Sequence, residues 1–500
     1  MSTDQLDRWL LVGSLVLLVA VAAVRLAVGI GLPTLLLYLG LGTLLGEDGL
    51  GVAFDDADLA RALGYAALVV ILAEGGLTTN WAAIRPAVPA AAALSLVGSA
   101  VSVGVVAVAA HLLLGLDWRD ALLVGAVLAP TDSAAVFSVL RRVRLPDRIG
   151  GLLEAESGFN DAPVVIVVVA LAGASAPHWW ELLALIGYEL ALGAVVGVLV
   201  GVAGAWGLRR VALPASGLYP IAVLALCVAA YGTAAVLHAS GFLAVYLAAL
   251  ALGNARLPHR PATRGFAEGA AWLAQIGLFV MLGLLATPSE LGPSVLPALA
   301  GALVLLLAAR PLSVLASLVP VGRWFRTTWA ERAVLSWAGL RGAVPVVLAT
   351  VPARADVFNL VFVLVVVFTL VQAPTLPRLA RRLGVVEGGG TQPLEIESSP
   401  LTRLEADLLQ LSIVHGSGLR GIEIFELALP DGAAVTLIVR AGKAFVPSPH
   451  TALREGDEVI LVATDEVRDE VERRLRSVAY GGRLADWHRP ADGSGGHGRG

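Results

Sequence analysis

The sequence has 500 residues, of which 57 % are hydrophobic and 15 % are charged, and its mean hydropathy is +0.81. Soluble domains contain about 45–50 % apolar and about 25 % charged residues, so this composition excludes an ordinary soluble protein. The net charge of −4 is too small to indicate a class of partner, and the single cysteine, Cys227, excludes an intramolecular disulfide. The chain is therefore predicted to be an all-α polytopic membrane protein with a modest soluble α+β domain.

Apolar runs of about 20 residues, divided at Pro, Gly and charged residues, predict about thirteen transmembrane helices. The first run is long enough to span and follows Asp4 and Asp7, which argues against a separate signal peptide. The predicted spans are residues 9–28, 31–46, 62–78, 87–114, 119–141, 148–172, 181–208, 218–237, 239–254, 265–286, 294–317, 330–350 and 356–379.

Arginine residues are distributed unevenly between alternate loops. One side of the membrane holds only Arg8, Arg61, Arg119 and Arg354, and the other side holds most of the remaining arginines. Because basic loops stay in the cytoplasm, the chain is predicted to lie in the plasma (inner) membrane with its N-terminus outside and its C-terminus in the cytoplasm.

One stretch places acidic residues at the start of an apolar run: Glu154-Ala155-Glu156-Ser157-Gly158-Phe159-Asn160-Asp161-Ala162-Pro163. An ionised side chain near the bilayer centre costs about 2.5–3.5 kcal/mol, so such residues usually mark an ion or proton path. On a helix Ser157 and Asp161 share a face, as do Glu156 and Asn160. The closing proline frees one carbonyl of the preceding turn. The stretch predicts an oxygen-rich site for a hard monovalent cation, with an ion pair between Asp161 and an arginine as the alternative.

Two predicted spans are interrupted by helix breakers beside a buried charge. The fifth carries Ala129-Pro130-Thr131-Asp132-Ser133, and the twelfth carries Gly339-Leu340-Arg341-Gly342-Ala343-Val344-Pro345. Asp132 is suited to cap a half-helix, and Arg341 is suited to offset the negative C-terminal end of a half-helix. Broken helices at matching places indicate a transporter with a midplane site and two inverted repeats, here of six spans each.

After residue 382 the composition changes. Residues 383–400 are predicted to be a linker, 401–478 a cytosolic α+β domain and 479–500 a flexible tail. Within the domain, strands are predicted at 408–414, 434–439 and 458–463, and helices at 419–427 and 465–475. The transport unit is therefore predicted to be residues 1–382.

Four motifs over about residues 10–380 resemble the cation:proton antiporter-1 family, and most closely its NhaP-type sodium or potassium/proton antiporters. They are Glu74-Gly75-Gly76-Leu77, Thr131-Asp132-Ser133, Glu154-x-Glu156-Ser157-Gly158-x-Asn160-Asp161 and Gly339-Leu340-Arg341-Gly342-Ala343. The resemblance implies a homodimer of two-lobed protomers, in which a core lobe moves against a dimerisation lobe. One departure is Ser133, where many members of the family have proline.

The resemblance also implies the ligands of the transported ion. Asp161 is implied to bind a proton and a cation alternately. Glu74, Ser157 and the backbone of Thr131 are implied to supply further oxygen ligands to K⁺ or Na⁺.

Four charged residues receive structural roles from the same resemblance. Glu156 and Arg341 are implied to form an ion pair, and Asp132 is implied to sit at the crossing of the broken helices. Arg310, which precedes Pro311 in the eleventh span, matches a basic residue that the family keeps in its core lobe.

The soluble part resembles a TrkA-C domain, which is the C-terminal domain of potassium-conductance regulators. The matching residues include Ser417-Gly418-Leu419-Arg420-Gly421 and Leu453-Arg454-Glu455-Gly456-Asp457. Such domains usually dimerise and bind small regulatory ligands, with a nucleotide as the candidate here. The pairing with an antiporter resembles the potassium/proton subgroup linked to cell-volume regulation.

Two other classes of function, a channel and an intramembrane hydrolase, would each require a motif that this sequence lacks. A potassium channel gated by the soluble domain would need a filter of the Thr-Val-Gly-Tyr-Gly type, and neither Gly64-Tyr65 nor Gly187-Tyr188 has the flanking residues. An intramembrane hydrolase would need a nucleophile with its base, and the sequence has neither His-Glu-x-x-His nor Gly-x-Ser-x-Gly.

Competition for one carboxylate explains antiport. Asp161 can hold a proton or a dehydrated cation, and only these neutral states cross an apolar gate cheaply. Because Asn160 does not titrate, exchange of one proton for one cation is predicted. This chemistry needs no enzyme activity, organic cofactor or nucleic acid, and the partners are membrane lipid, cations and protons. The choice between K⁺ and Na⁺ is left open.

Overall fold

In the computed structural model of this chain, the described residues are 3–30, 33–140, 143, 145–173, 178–322, 325–386, 396–401, 406–413, 417–464 and 466–481. They belong to two units, Met1–Val386 and Glu387–Gly500.

The first unit is helical throughout its regular structure. Its helices are α1 Thr3–Ile30, α2 Thr34–Leu45, α3 Ala57–Thr78, α4 Trp81–Leu114, α5 Trp118–Val127, α6 Ser133–Leu140, α7 Asp147–Ala172, α8 Trp179–Arg210, α9 Leu218–Val236, α10 Gly241–Asn254, α11 Arg260–Leu285, α12 Gly292–Leu318, α13 Trp329–Trp337, α14 Ala343–Leu348 and α15 Ala355–Arg382. Within the described residues, eight of these helices are long and apolar enough to cross a membrane, and shorter apolar helices accompany them. The helical membrane fold is confirmed, while the number of thirteen spans stays a prediction.

Polar side chains fix where several helices begin. Asp56 accepts a hydrogen bond from Leu59 N at the start of α3, at 2.9 Å. Thr328 and Glu331 form a reciprocal capping box at the start of α13. Such caps satisfy backbone N–H groups that have no helical partner, and each stabilises a helix by about 0.5–2 kcal/mol.

Packing divides the membrane helices into two bundles. The first bundle comprises α1–α3 and α8–α11, and the second comprises α4–α7 and α12–α15. They meet where α3, α8, α10 and α11 contact α7 and α14. The helix with the acidic stretch, α7, therefore lies in the second bundle but faces the first.

The two interrupted helices, α5–α6 and α13–α14, meet at their breaks. Asp132 N donates to Leu340 O at 2.8 Å. Arg341 is only 1 % exposed, and its Nη1 donates to Ala129 O at 2.5 Å and to Pro130 O at 2.6 Å. These carbonyls follow the C-terminal end of α5, where carbonyls lack helical partners and the dipole is negative. Arg341 therefore neutralises the end of the other broken helix.

A second matching pair of irregularities lies in the helices that precede the broken ones. Helix α4 contains a π-helical turn over Leu94–Gly98, and α12 contains one over Leu305–Ala309. Single π turns are frequent at functional sites. The shared order of π turn and then break in both halves is what two structural repeats require.

We expect Gly342→Ala to destabilise the crossing. A Cβ at Gly342 would lie 1.8 Å from Asp132 Oδ2, while Asp132 Oδ1 already accepts Ala135 N at 3.1 Å, so this side chain is not free to move aside. Overpacking of this kind costs about 1–3 kcal/mol. Thermal unfolding of purified protein should show a lower midpoint and vesicles should show reduced transport. Gly104→Ala is the control, because a Cβ there meets nothing within 4 Å; equal stability of the two variants would contradict this account.

In its described residues, the second unit contains an antiparallel sheet and one α-helix. Its elements are β1 Ile396–Leu401, β2 Ala406–Ser412, β3 Ala433–Arg440, β4 Lys443–Phe445, β5 Glu458–Thr464 and α16 Arg468–Gly481. The strand order is β1-β2-β5-β3-β4. Leu409 pairs with Leu461 across β2 and β5, and both belong to a core that α16 covers with Val471 and Leu475.

Two sequence predictions differ from this unit, and one of its strands was not predicted. The helix expected over 419–427 is wrong, because Gly421 adopts a positive φ of 79° and only a short 3₁₀ turn, Ile424–Leu427, follows. The expected linker 383–400 ends in strand β1, and the short strand β4 was not expected. Part of the linker, residues 387–395, and most of the expected tail, residues 482–500, lie outside the described residues.

An ion pair between the partly exposed Arg440 and the fully buried Asp457 fastens strand β3 to the turn before β5. Arg440 Nε and Nη2 donate to the two carboxylate oxygens of Asp457 at 2.8 and 2.7 Å, and Arg454 N donates to it at 2.8 Å. Burial alone would raise the pKa of Asp457, but the hydrogen bonds from Arg440 and Arg454 outweigh it and hold that pKa below its usual range.

We expect Asp457→Asn to lower the free energy of unfolding of the second unit by about 1–3 kcal/mol at neutral pH, because Arg440 loses a charged partner. Since the folded pKa of Asp457 is lowered, the wild-type stabilisation is complete above the unfolded pKa, about 3.9, and is lost as the pH falls through the folded pKa. Hydrogen exchange of β3 and β5 in the full chain measures both effects. The exposed pair Arg420–Glu455, at 3.6 Å, provides the control Glu455→Gln. An Asp457→Asn protein with wild-type acid dependence would refute this assignment.

Candidate cation and proton site

A cavity of about 480 Å³ lies between the two bundles beside the crossing of the broken helices. Helices α3, α7, α10 and α11 contribute to its wall together with both breaks. Its polar lining consists of Glu74, Thr78, Thr79, Thr131, Asp132, Ser133, Glu154, Ser157, Asp161, Tyr246 and Gln275. None of the described residues that line it is Lys, Arg or His, so the cavity is suited to a cation.

Helix α7 presents different chemistry on two faces. Glu154, Ser157, Gly158 and Asp161 line the cavity, at the i, i+3, i+4 and i+7 positions of one face. Glu156 and Asn160 are not part of the lining and are buried at 2 % and 1 % exposure. The helix therefore keeps one acidic face toward the cavity and one polar face inside the protein.

Asp161 lies at the deep end of this acidic face. Its residue surface is 6 % exposed, and its buried Oδ1 has no hydrogen-bond partner. The buried Oδ1 of Asn160 likewise has no partner. A buried ionised carboxylate without a partner is costly, so Asp161 is suited to hold a proton or a cation.

Thr131 connects α7 to the break after α5. Asn160 Nδ2 donates to Thr131 Oγ1 at 2.7 Å, and Ser157 Oγ donates to Thr131 O at 3.1 Å. Ser133 N donates in turn to Ser157 Oγ at 3.2 Å. This network connects the sequence-predicted residues Thr131, Ser157 and Asn160, and Asp161 lines the same cavity as Thr131 and Ser157.

The ion pair implied between Glu156 and Arg341 is wrong, because Glu156 pairs with Arg310 instead. Arg310 Nη1 lies 2.5 Å from Glu156 Oε1, and Nη2 lies 2.9 Å from Oε2. The two side chains are 5 % and 2 % exposed. Arg341 is unsuited to this role because its guanidinium already binds the carbonyls of the other break.

Residues in or directly after the two π turns contact the same residue of α7. Arg310 directly follows the π turn of α12, and Ser95 in the π turn of α4 donates its hydroxyl to Glu156 O at 3.2 Å. A bidentate, hydrogen-bonded pair is the arrangement that makes a buried charge tolerable. Glu156 therefore anchors α7 between α4 and α12.

Glu74 reaches the cavity from α3 and is half-buried. Sequence reasoning did not assign five other polar lining residues, which are Thr78, Thr79, Glu154, Tyr246 and Gln275. The sequence does contain a signal for Glu154, because it lies seven residues before Asp161 and therefore on the same helix face. Tyr246 and Gln275 lie on α10 and α11, and their spacing in the sequence carries no such signal.

At Gly158 the two bundles are in close contact within the cavity wall. A Cβ on Gly158 would lie 2.3 Å from Tyr246 Cζ, so the ring of Tyr246 rests directly on the helix backbone. Phe159 meets the same ring edge-on, with centroids 5.7 Å apart.

Comparison with known proteins follows the same division of the chain. Residues 14–382 match the family described as sodium/hydrogen exchanger, transmembrane, and residues 408–476 match the TrkA-C domain. The K(+)/H(+) antiporter NhaP2 of Shewanella oneidensis is 37 % identical over 83 % of this chain and 73 % of its own length. The K(+)/H(+) antiporter NhaP of Alkalimonas amylolytica is 35 % identical over 82 % of this chain and 73 % of its own.

Among solved structures, the sodium proton antiporter MjNhaP1 from Methanocaldococcus jannaschii shares the fold. Its TM-score is 0.65 at 22 % identity, covering 74 % of this chain and 97 % of that protein. The resemblance drawn from the four motifs is confirmed. This chain belongs to the sodium/hydrogen exchanger family and carries a TrkA-C domain after its membrane unit.

Proposed function

We propose that the protein exchanges K⁺ for H⁺ across the plasma membrane, with Asp161 as the shared site. Membership of the exchanger family supports cation/proton antiport, and the relatives that match over most of the chain are named as K(+)/H(+) antiporters. The observation that carries the site assignment is the buried, unpartnered Oδ1 of Asp161 at a cavity lined by oxygen atoms. A channel gated by the soluble domain is not favoured by any of these findings.

The geometry supports a mechanism of competition. An incoming cation would meet Asp161 together with the Ser157 hydroxyl, the Thr131 backbone and the Glu74 carboxylate, all of which line the cavity. These oxygen ligands replace part of the hydration shell of a hard cation. A proton on Asp161 removes its charge and the attraction for the cation. Either ligand neutralises the carboxylate, and the empty anion is the state that is costly to move past the apolar contact of the two bundles.

Several features of the whole protein belong to the same proposal. The second bundle, with α7, would move against the first, which would also form a homodimer. The N-terminus would lie outside and the C-terminus in the cytoplasm, as the arginine distribution predicts. Residues 1–382 would transport, 383–400 would link, 401–478 would bind a small regulatory ligand and 479–500 would form a tail.

We expect Asp161→Asn to abolish exchange while the protein still inserts, because an asparagine cannot alternate between charged and neutral states. Proton flux in everted vesicles, with K⁺ and Na⁺ added separately across a pH series, measures the loss. Asp58→Asn is the matched control, since Asp58 pairs with Arg61 on the surface at 2.8 Å, away from the cavity. Exchange by Asp161→Asn at the rate of the control would refute the proposed site.

We expect exchange to be electroneutral, with one proton moved for each cation. Asn160 holds Thr131 through its amide and cannot carry a second proton. The measurement is reconstitution in liposomes with a diffusion potential set independently of the pH gradient. A shift of the equilibrium ion distribution with voltage would contradict the one-for-one ratio and direct attention to Glu74.

A further inference from the structure

Glu154 has no part in the mechanism described above, although it lines the same cavity as Asp161. It is half-buried on the acidic face of α7, three residues before Ser157 and therefore nearer the helix N-terminus. Seven residues separate it from Asp161, which corresponds to about 10.5 Å along the helix axis. Ser157 lies between them, and the cavity of about 480 Å³ has room for several water molecules.

The hydrogen-bond partner of Glu154 is the hydroxyl of Thr79, which lies within hydrogen-bond distance of two acceptors, Glu154 itself and the carbonyl of Gly75. Thr79 Oγ1 lies 2.5 Å from Glu154 Oε1 and 2.7 Å from Gly75 O. Thr79 is 1 % exposed, and its carbonyl is held by Asn254 Nδ2 at 2.9 Å. A threonine hydroxyl has one hydrogen, so it can donate to only one of these two acceptors at a time.

This geometry distinguishes the two protonation states of Glu154. If Glu154 is ionised, Thr79 must donate to it and leave Gly75 O without that hydrogen bond. If Glu154 is protonated, its own O–H donates to Thr79 Oγ1, and Thr79 donates to Gly75 O. The protonated state therefore makes one hydrogen bond more than the ionised state at this place.

Among the described residues, no basic side chain on the cavity wall compensates the charge of Glu154. The titratable groups that share the described lining with it are Glu74 on α3, Asp132 at the break, Asp161 on α7 and Tyr246 on α10. The helices that contact α7 carry arginines that do not line the cavity: Arg61 on α3, Arg85 on α4, Arg119 on α5, Arg209 and Arg210 on α8, and Arg310 on α12, which pairs with Glu156. Arg148 on α7 itself pairs with Glu331. The surroundings thus favour a neutral Glu154.

We propose that Glu154 is a proton relay between the cavity and Asp161, and that Thr79 is the positioning residue that lets it hold the proton. This proposal rests on the proposed function and deepens it. The O–H bond of Glu154 breaks as an O–H bond forms on the Asp161 carboxylate, with the proton passing along cavity water and the Ser157 hydroxyl. Glu154 then regains a proton from the aqueous phase, so the net ratio of one proton to one cation is unchanged.

The contact also joins the two bundles, because Glu154 belongs to α7 and Thr79 caps the end of α3. The relay therefore sits where the second bundle must part from the first.

The first test is the pH profile of exchange by Glu154→Gln. We expect about a tenfold lower rate at alkaline pH, where protons are scarce and a positioned acid contributes most, and little loss at acid pH. The K⁺ concentration for half-maximal rate should not change. Thr79→Val should shift the profile in the same direction, and Thr79→Ser should restore it. Thr43→Val is the control, because its hydroxyl donates only to Gly40 O, within its own helix, at 2.9 Å.

A wild-type pH profile in Glu154→Gln would overturn the relay. A changed K⁺ dependence with an unchanged pH profile would also overturn it, since Glu154 would then be a cation ligand.

A second readout does not require transport. Infrared difference spectra between acid and alkaline pH, recorded in the Asp161→Asn background, should contain a carboxyl band that disappears when Glu154→Gln is added. Absence of such a band would overturn the relay while leaving the assignment of Asp161 intact. Conversely, exchange by Asp161→Asn would refute the proposed function whatever the infrared band shows.

Discussion

The buried pair of Glu156 and Arg310 is the interaction on which the membrane unit depends. It joins α7 to α12 just after the π turn of that helix, and the backbone carbonyl of Glu156 is bound from the π turn of α4 by Ser95. Three helices are thereby fixed around one residue, Glu156. Asp161 lies on the other face of α7, so this pair holds in place the helix that carries a carboxylate oxygen without a partner. A buried charge needs this degree of compensation, and removing one member of such a pair costs about 3–5 kcal/mol.

Backbone irregularity is concentrated around the same place. Two breaks and two π turns leave carbonyl and N–H groups outside regular helices, and at the break after α5 Asp132 N, Ala129 O and Pro130 O each bind a group of the other break. Within a bilayer such irregular backbone is tolerated only where it is buried in protein or lines a wet cavity. The polar atoms needed for ion binding and those needed to stabilise the breaks are therefore supplied by one network centred on Thr131.

Much of this arrangement is predictable from the sequence, because it follows from local pattern. The apolar runs identify the membrane helices, and proline and glycine beside Asp132 and Arg341 identify the breaks. The partner of Glu156 is not predictable in this way. Arg310 and Arg341 are both buried arginines beside irregular backbone, and their choice of acceptor depends on tertiary distances. In the second unit, Gly421 interrupts the segment 419–427, whose sequence pattern predicts a helix. Strand β1 forms by pairing with β2, and this pairing is not visible in the local sequence of β1.

The contact of Tyr246 with Gly158 sets a limit on how the bundles can slide. Ala155 and Ala162 flank Gly158 on α7, and advancing the helix by one turn, about 5.4 Å, would bring a methyl group under the ring. The ring of Tyr246 thus obstructs sliding of α7 past α10. Movement of α7 along α10 either stays shorter than one helical turn or requires the Tyr246 side chain to change its rotamer. The rotamer of Tyr246 therefore indicates how far α7 has moved.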